Sequence, residues 1–183
     1  DSLETIKLPK NLTWLGREAF RDCDNLKSIE IPSKVERLRP GTFKWCINLN
    51  DVKLPDNMYE IGSQAFEGCY SLKSLELPKN LKIINRYGLA KSGLQQITIP
   101  KKTEELREGA FWGCYNLADV QFDSNAYLQW IGAYAFQNCA NLDNVVWPES
   151  VKYIDTGVFA DCYNLKQITI PDTVTSIQNR AFE

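Results

Sequence analysis

The sequence predicts a solenoid of stacked short units carrying a curved parallel β-sheet of about eight short strands, and three columns of residues predict it. Proline stands at 9, 32, 55, 78, 100, 148 and 171, giving steps of 23, 23, 23, 22, 48 and 23 residues. Phe20, Phe43, Phe66, Leu89, Phe111, Phe136, Phe159 and Phe182 keep the same phase, most of them after a small residue. Leu3, Leu26, Leu49, Leu72, Leu94, Leu117, Leu142 and Leu165 form a third column, leucine in every unit. The step of 48 is a missed beat at Asp123, in a unit lengthened to 25 residues. A fixed period of this length is the signature of a repeat architecture, whose units bury their apolar faces only by stacking.

Each element of the unit follows in order. In LKSIEIP, Leu26 to Pro32, the apolar Ile29 and Ile31 alternate with Ser28 and Glu30, the period of a short strand with one buried face. Proline ends the strand because it has no N–H for the next ladder bond. Val35 to Leu38 and a turn follow, with glycine in units such as Leu15-Gly16, Ile61-Gly62 and Ile131-Gly132, before the small-Phe pair. A unit of 23 residues has no room for a long helix beside a strand. The far side is therefore expected to hold short strands, turns and one 3₁₀ or single-turn helix.

Stacked units pair their strands in parallel at about 4.8 Å. The columns of Leu, Ile or Val, Phe, Ala and Cys then make one continuous core, each large side chain contributing about 1.5–3 kcal/mol. The polar residue before each leucine (Asn25, Asn48, Asn116, Asn141 and Asn164, with Ser71 in one unit) predicts a ladder of side chains bonded to backbone between rungs.

The consensus LxxIxIP followed by VxxIGxxAFxxCxNL resembles the BspA-like leucine-rich repeat family of surface and secreted proteins, over essentially the whole chain. The resemblance implies a right-handed leucine-rich repeat solenoid on the outside of the cell that binds host proteins, other microbes or matrix, with no catalytic residues to carry over. Departures are local: Leu89 stands in the Phe column, Ser92 in the Cys column, and Asp123 to Tyr127 replace the proline turn.

Cys23, Cys46, Cys69, Cys114, Cys139 and Cys162 occupy one slot per unit. Three disulfides are the usual reading of an even count in an exported protein. Column geometry opposes it, since neighbours about 4.8 Å apart with parallel Cβ directions do not meet the requirement of about 3.8 Å and convergence. Zinc needs thiolates converging on a point, whereas a column offers a line. Buried free thiols, acting as small apolar residues in a narrow interior, are expected.

Composition narrows function. The 183 residues are 24% charged with a net charge of -2, which points to neither nucleic acid nor a disordered acidic tail. No run of transmembrane length is present, and DSLETIKLP lacks a signal-peptide layout. With no histidine, Ser/His/Asp and Cys/His nucleophile systems are impossible, and the commonest zinc ligand is missing. No cofactor or metal site is expected. The opening on a strand and the stop after a small-Phe pair, without evident caps, lead us to expect one solenoid over 1–183 cut from a longer protein, monomeric or packed end to end.

The solvent face of the main sheet is the first place to seek a ligand. Lys7, Glu30, Lys53 and Glu76 alternate in sign and are expected to pair across strands at about 0.2–1 kcal/mol each. Further along, Gln96, Thr98, Asp119, Gln121, Asn144, Val146, Gln167 and Thr169 give a polar, weakly charged surface that costs less to desolvate, the candidate ligand-binding patch. A rival patch combines Tyr127, Trp130, Tyr134 and Tyr153, because aromatic clusters suit sugar rings or protein anchors. Tyr70, Tyr115 and Tyr163 share another slot after the cysteine, where packing along the solenoid edge explains them equally well.

The function expected is a non-enzymatic interaction or adhesion module, extracellular or on the cell surface, with a protein or glycan ligand. The alternative is a structural or targeting repeat arm attached to a catalytic or anchoring domain elsewhere. A carboxylate-pair glycosidase using Glu104 and Glu105 or Asp155 and Asp161 is a poor third, because these acids lie in variable turn slots.

Overall fold

The computed structural model describes residues 2–183 as a parallel-strand β-solenoid of about seven turns. Every strand pair is parallel and joins a residue to its counterpart in the next unit, as in Ser28 to Asp51, Ile83 to Glu105 and Asp119 to Asn144. One sequence repeat is therefore one rung.

Two ladders run along the stack. The main one contains β1 (Ser28–Glu30), β2 (Asp51–Lys53), β5 (Gln96–Ile99), β7 (Asp119–Phe122) and β9 (Asn144–Val145), with bridges at Thr5–Ser28 and Val146–Thr169. The second contains β3 (Glu60–Ile61), β4 (Ile83–Ile84), β6 (Glu105–Leu106) and β8 (Trp130–Ile131) in one sheet, then β10 (Tyr153–Ile154) with β11 (Ser176–Ile177). These are the short far-side strands expected from the sequence. Their buried residues, Ile61, Ile84, Leu106, Ile131 and Ile154, face the interior the main ladder also covers.

The main ladder is not the unbroken eight-strand sheet the columns predict. Ser74 to Leu77 keep the alternation of exposed and buried side chains, yet they exchange no backbone hydrogen bond with either neighbouring rung. The sheet is thereby divided into β1–β2 and β5–β7–β9. The first inward position is Ile6, Ile29, Val52, Leu75, Ile97, Val120, Val145 and Ile168, so only this rung lacks a β-branched residue there. Branching at Cβ favours the extended backbone, and Leu75 with Leu77 supplies none.

The expected 3₁₀ or single-turn helix is replaced by turns; no helix occurs among the described residues. The reason is in the backbone. Each rung places two residues four apart in the left-handed region, Glu18 and Asp22, Gly41 and Trp45, Gln64 and Gly68, Tyr87 and Lys91, and so on. A helix needs negative φ throughout. Between these corners alternate N–H groups reach the next rung: Gly41 donates to Ser63 O at 2.8 Å, Phe43 to Ala65 O at 2.8 Å and Trp45 to Glu67 O at 2.7 Å. Backbone groups that a helix would satisfy within itself are satisfied between rungs instead.

Bulky left-handed residues are uncommon. Here each aromatic one lies against a glycine one rung later, Trp45 on Gly68, Tyr87 on Gly109 and Tyr134 on Gly157. A β-carbon at Gly109 would stand 2.4 Å from the Tyr87 ring.

The lengthened unit keeps its beat. Val35, Leu81 and Val151 donate their N–H to the carbonyl of the proline three residues earlier, and Ala126 donates to Asp123 O at 3.0 Å in the same way. Asp123 also accepts the Lys101 N–H at 3.2 Å, so it stands in for proline as the turn's first residue.

Inside, the phenylalanines stack face to face at 5.2–5.7 Å from Phe20 to Phe66 and from Phe111 to Phe182, interrupted by Leu89. The cysteines are free thiols, buried except for the half-buried Cys23. They do more than fill space. Cys46 donates to Phe20 O at 2.9 Å, Cys69 to Phe43 O at 3.2 Å, Cys139 to Phe111 O at 3.3 Å and Cys162 to Phe136 O at 3.1 Å. Cys114 donates to Leu89 O at 3.1 Å and contacts Ser92, the hydroxyl in the cysteine slot, at 3.3 Å. The asparagine ladder is reduced by comparison: Asn48 donates to Asp24 O at 2.8 Å, while Asn116, Asn141 and Asn164 are exposed and make no side-chain hydrogen bond.

Candidate ligand-binding face

The strand period turns alternate side chains outward, and the parallel register lines them up across rungs. Gln96, Asp119 and Asn144 are register partners in β5, β7 and β9, and Thr98 faces Gln121 beside them. The bridge from Val146 to Thr169 carries the second row onward, and Gln167 lies two residues before Thr169. All eight residues predicted for the ligand patch thus stand on one face, exposed except for the half-buried Asp119. Gln121 spends one bond within the patch, donating to Asp119 Oδ2 at 2.7 Å. Val146 is 70% exposed, an apolar side chain held out among polar ones.

A groove of about 510 Å³ opens at the near end of this face, over the break in the ladder. Its walls include Ser74, Glu76, Gln96, Thr98, Asp119 and Gln121, so half of the predicted patch borders it. A second groove of about 680 Å³ lies over the first three rungs, against Lys7, Glu30, Asp51 and Lys53. The alternating charges do not pair as predicted. Glu30 and Lys53 are register partners, yet no ion pair joins any of Lys7, Glu30, Lys53 and Glu76. These long side chains gain little from pairing in water and keep their rotamer freedom. Cross-rung ion pairs form in other slots, Lys27–Glu4 at 2.7 Å, Lys44–Glu67 at 3.0 Å and Lys79–Asp56 at 3.0 Å.

The aromatic patch is only partly assembled. Trp130 and Tyr153 occupy the outward slot of β8 and β10 on successive rungs, and Tyr127 is exposed in the loop before β8. Tyr134 is a left-handed corner whose ring covers Gly157. No ring contact joins the four among the described residues. Of the tyrosines after the cysteine, Tyr70 tilts against Trp45 at 5.9 Å and Tyr163 donates to Asp161 at 3.0 Å.

Sequence reasoning missed a cluster on the turn edge. Lys91 Nζ lies 5.6 Å from the Trp45 ring and 4.9 Å from the Trp112 ring, and Tyr87 meets Trp112 edge-on at 6.3 Å. The signal was present: Lys91 repeats the slot of Trp45 two rungs later, and Trp112 stands one rung further on in the adjoining slot.

A family model for the BspA type leucine rich repeat region matches six copies over residues 1–92 and 82–183. The chain belongs to that family. Among solved structures, this BspA-type chain is similar to a leucine-rich repeat protein from Bacteroides ovatus, at 29% identity and a TM-score of 0.83 over 89% of this chain and 42% of that one. The T. pallidum leucine rich repeat protein aligns at 26% identity and a TM-score of 0.65, over 93% of this chain and 71% of that one. A leucine rich cell surface protein from Faecalibacterium prausnitzii shares the fold at 23% identity and a TM-score of 0.52, over 95% of this chain and 68% of that one. The chain therefore spans about two fifths of the B. ovatus protein. Among curated proteins, none matches it. No helix of the described residues is long and apolar enough to cross a membrane.

Proposed function

We propose that this BspA-type segment is a non-enzymatic interaction module of a cell-surface or secreted protein, docking a protein or glycan ligand on the polar face from Gln96 to Thr169. The observation that carries the reading is the alignment of eight exposed or half-exposed side chains on one rigid face, with a single hydrogen bond among them. Groups that are not already satisfied by one another can be exchanged for a ligand's groups at low cost. Membership of a repeat family of surface and secreted proteins supports the location and the adhesive role.

The rival chemistry finds little support. Asp155 accepts the Thr156 N–H at 2.7 Å, Asp161 accepts from Gln137 and Tyr163, and Glu105 is paired with Arg107 at 2.7 Å. These carboxylates hold turns and strands together. A second reading, a targeting arm with a glycan-binding aromatic edge, is favoured by exposed Trp130 and Tyr153 on successive rungs and by the longer B. ovatus chain.

Arrays of matrix proteins, microbial surfaces and glycans test both. Thr98→Arg with Asn144→Arg should abolish capture of the array ligand while leaving the melting temperature within a few degrees. Loss on Trp130→Ala with Tyr153→Ala, and not on the arginine pair, would move the site to the aromatic edge.

A further inference from the structure

The two grooves on the sheet face differ in charge, and the difference points to what the first one holds. This inference rests on the sheet face being the interaction surface. The walls of the groove over the broken rung carry three carboxylates, Glu76, Asp119 and Asp123, against one cation, Lys79. Lys79 is already paired with Asp56 at 3.0 Å. None of the three carboxylates takes part in a contact ion pair: Asp119 accepts only the Gln121 amide, Asp123 accepts only the Lys101 backbone N–H, and Glu76 meets Lys79 only through its longer-range field. The groove over the first three rungs has the opposite balance, Lys7, Lys10 and Lys53 against Glu30 and Asp51.

A second property coincides with the acidic groove. Ser74 to Leu77 run extended beneath it with no backbone hydrogen bond to the rungs on either side. Within β1–β2 and β5–β7–β9 main-chain N–H and C=O groups are spent on the ladder; at Ser74 to Leu77 they are left for whatever fills the groove. An extended peptide supplies both partners, main-chain groups for the unpaired backbone and basic side chains for the carboxylates. A concave wall in which one sign of charge predominates also concentrates the opposite charge.

We propose that this groove docks an extended, lysine- or arginine-bearing segment of a protein partner, with Glu76 and Asp119 holding the basic side chains.

A fluorescein-labelled peptide of alternating lysine and glycine, ten residues long, is the probe, followed by fluorescence polarisation at low salt. Binding should weaken at least tenfold in Glu76→Gln with Asp119→Asn, and at least tenfold between 50 and 300 mM sodium chloride. The pair Glu30→Gln with Asp51→Asn, in the other groove, should leave affinity within twofold. Because the substituted side chains are at the surface, circular dichroism should be unchanged, and amide shifts in the unsubstituted protein provide a second measurement. These should move at residues 74–77, 96–98 and 119–123. No binding, an equal loss from either pair of substitutions, or spermine binding as tightly as the peptide would each overturn the proposal. The two readings can fail separately. If Thr98→Arg with Asn144→Arg abolishes array capture but the lysine peptide does not bind, only the basic occupant is lost; if array capture survives, the sheet-face reading is lost as well.

Discussion

The cysteine at position 69 illustrates how much a single slot in this repeat does. Its thiol sits in the core beside stacked phenylalanines and donates to Phe43 O, a carbonyl that also accepts the N–H of Cys46 within its own rung. The thiol thus ties one rung to the turn of the one before. Burial pushes Cys46 and Cys162 up to about 12 and Cys114 to about 11, and raises Cys69 and Cys139 well above the ordinary thiol range. A pKa raised on folding means that the folded state favours the neutral thiol, so the stabilisation is complete below the unfolded value near 8.5 and is lost as pH climbs through the folded values. Thermal melts should accordingly fall between pH 9 and about 12, and Cys69→Ala should flatten that decline; a melting temperature independent of alkaline pH would refute it. A thiol reagent should find one reactive group in the native protein, the half-buried Cys23, and six after denaturation without reductant. The corners make a second prediction at this scale. Gly109 has φ of +61 and lies under Tyr87, so Gly109→Ala should cost about 2 kcal/mol or more in urea denaturation. Gly16→Ala, with nothing within 4 Å of its β-carbon, should be nearly neutral.

At the scale of elements, the rung containing Ser74 to Leu77 separates two things that usually coincide, strand pattern and strand pairing. Its side chains alternate correctly, Leu75 and Leu77 buried and Ser74 and Glu76 exposed, while its backbone stays out of the ladder. Leucine, branched at Cγ and not at Cβ, packs the core as well as isoleucine does but biases φ and ψ less. Replacing Leu75 and Leu77 with isoleucine should therefore extend pairing through this rung, raising amide exchange protection at residues 75 and 77 by at least tenfold. Unchanged protection with retained stability would place the cause elsewhere. The turn segments show the opposite case, where a stretch that looks irregular in sequence is bonded rung to rung at alternate residues.

Across the whole molecule, stability is shared between neighbours in the stack and not concentrated in one core. The phenylalanine columns carry much of it, with Phe136 between Phe111 at 5.2 Å and Phe159 at 5.7 Å. Phe136→Ala should cost about 3–5 kcal/mol and lower the urea midpoint. The cost should be smaller at Phe182, 43% exposed with one stacking partner. Equal costs at both positions would show that nearest-neighbour stacking is not what the column supplies.

Period and residue type by themselves determined the rung length, the parallel pairing, the inward columns and the outward face on which the eight candidate residues stand, because in a stacked repeat the position in the unit dictates which neighbour a residue meets. Even the missed beat at Asp123 left the register intact. Tertiary structure alone decided the rest. Whether Lys7, Glu30, Lys53 and Glu76 pair depends on side-chain reach between solvated strands, and they do not. Whether Tyr134 joins Trp130 depends on a left-handed corner that folds its ring onto Gly157. The acidic groove lies over the rung that leaves the ladder, and its charge follows from which acids end up without an ion-pair partner. A column in a sequence records what must be buried; only the assembled stack shows which exposed groups are already spent on one another and which are left for a ligand.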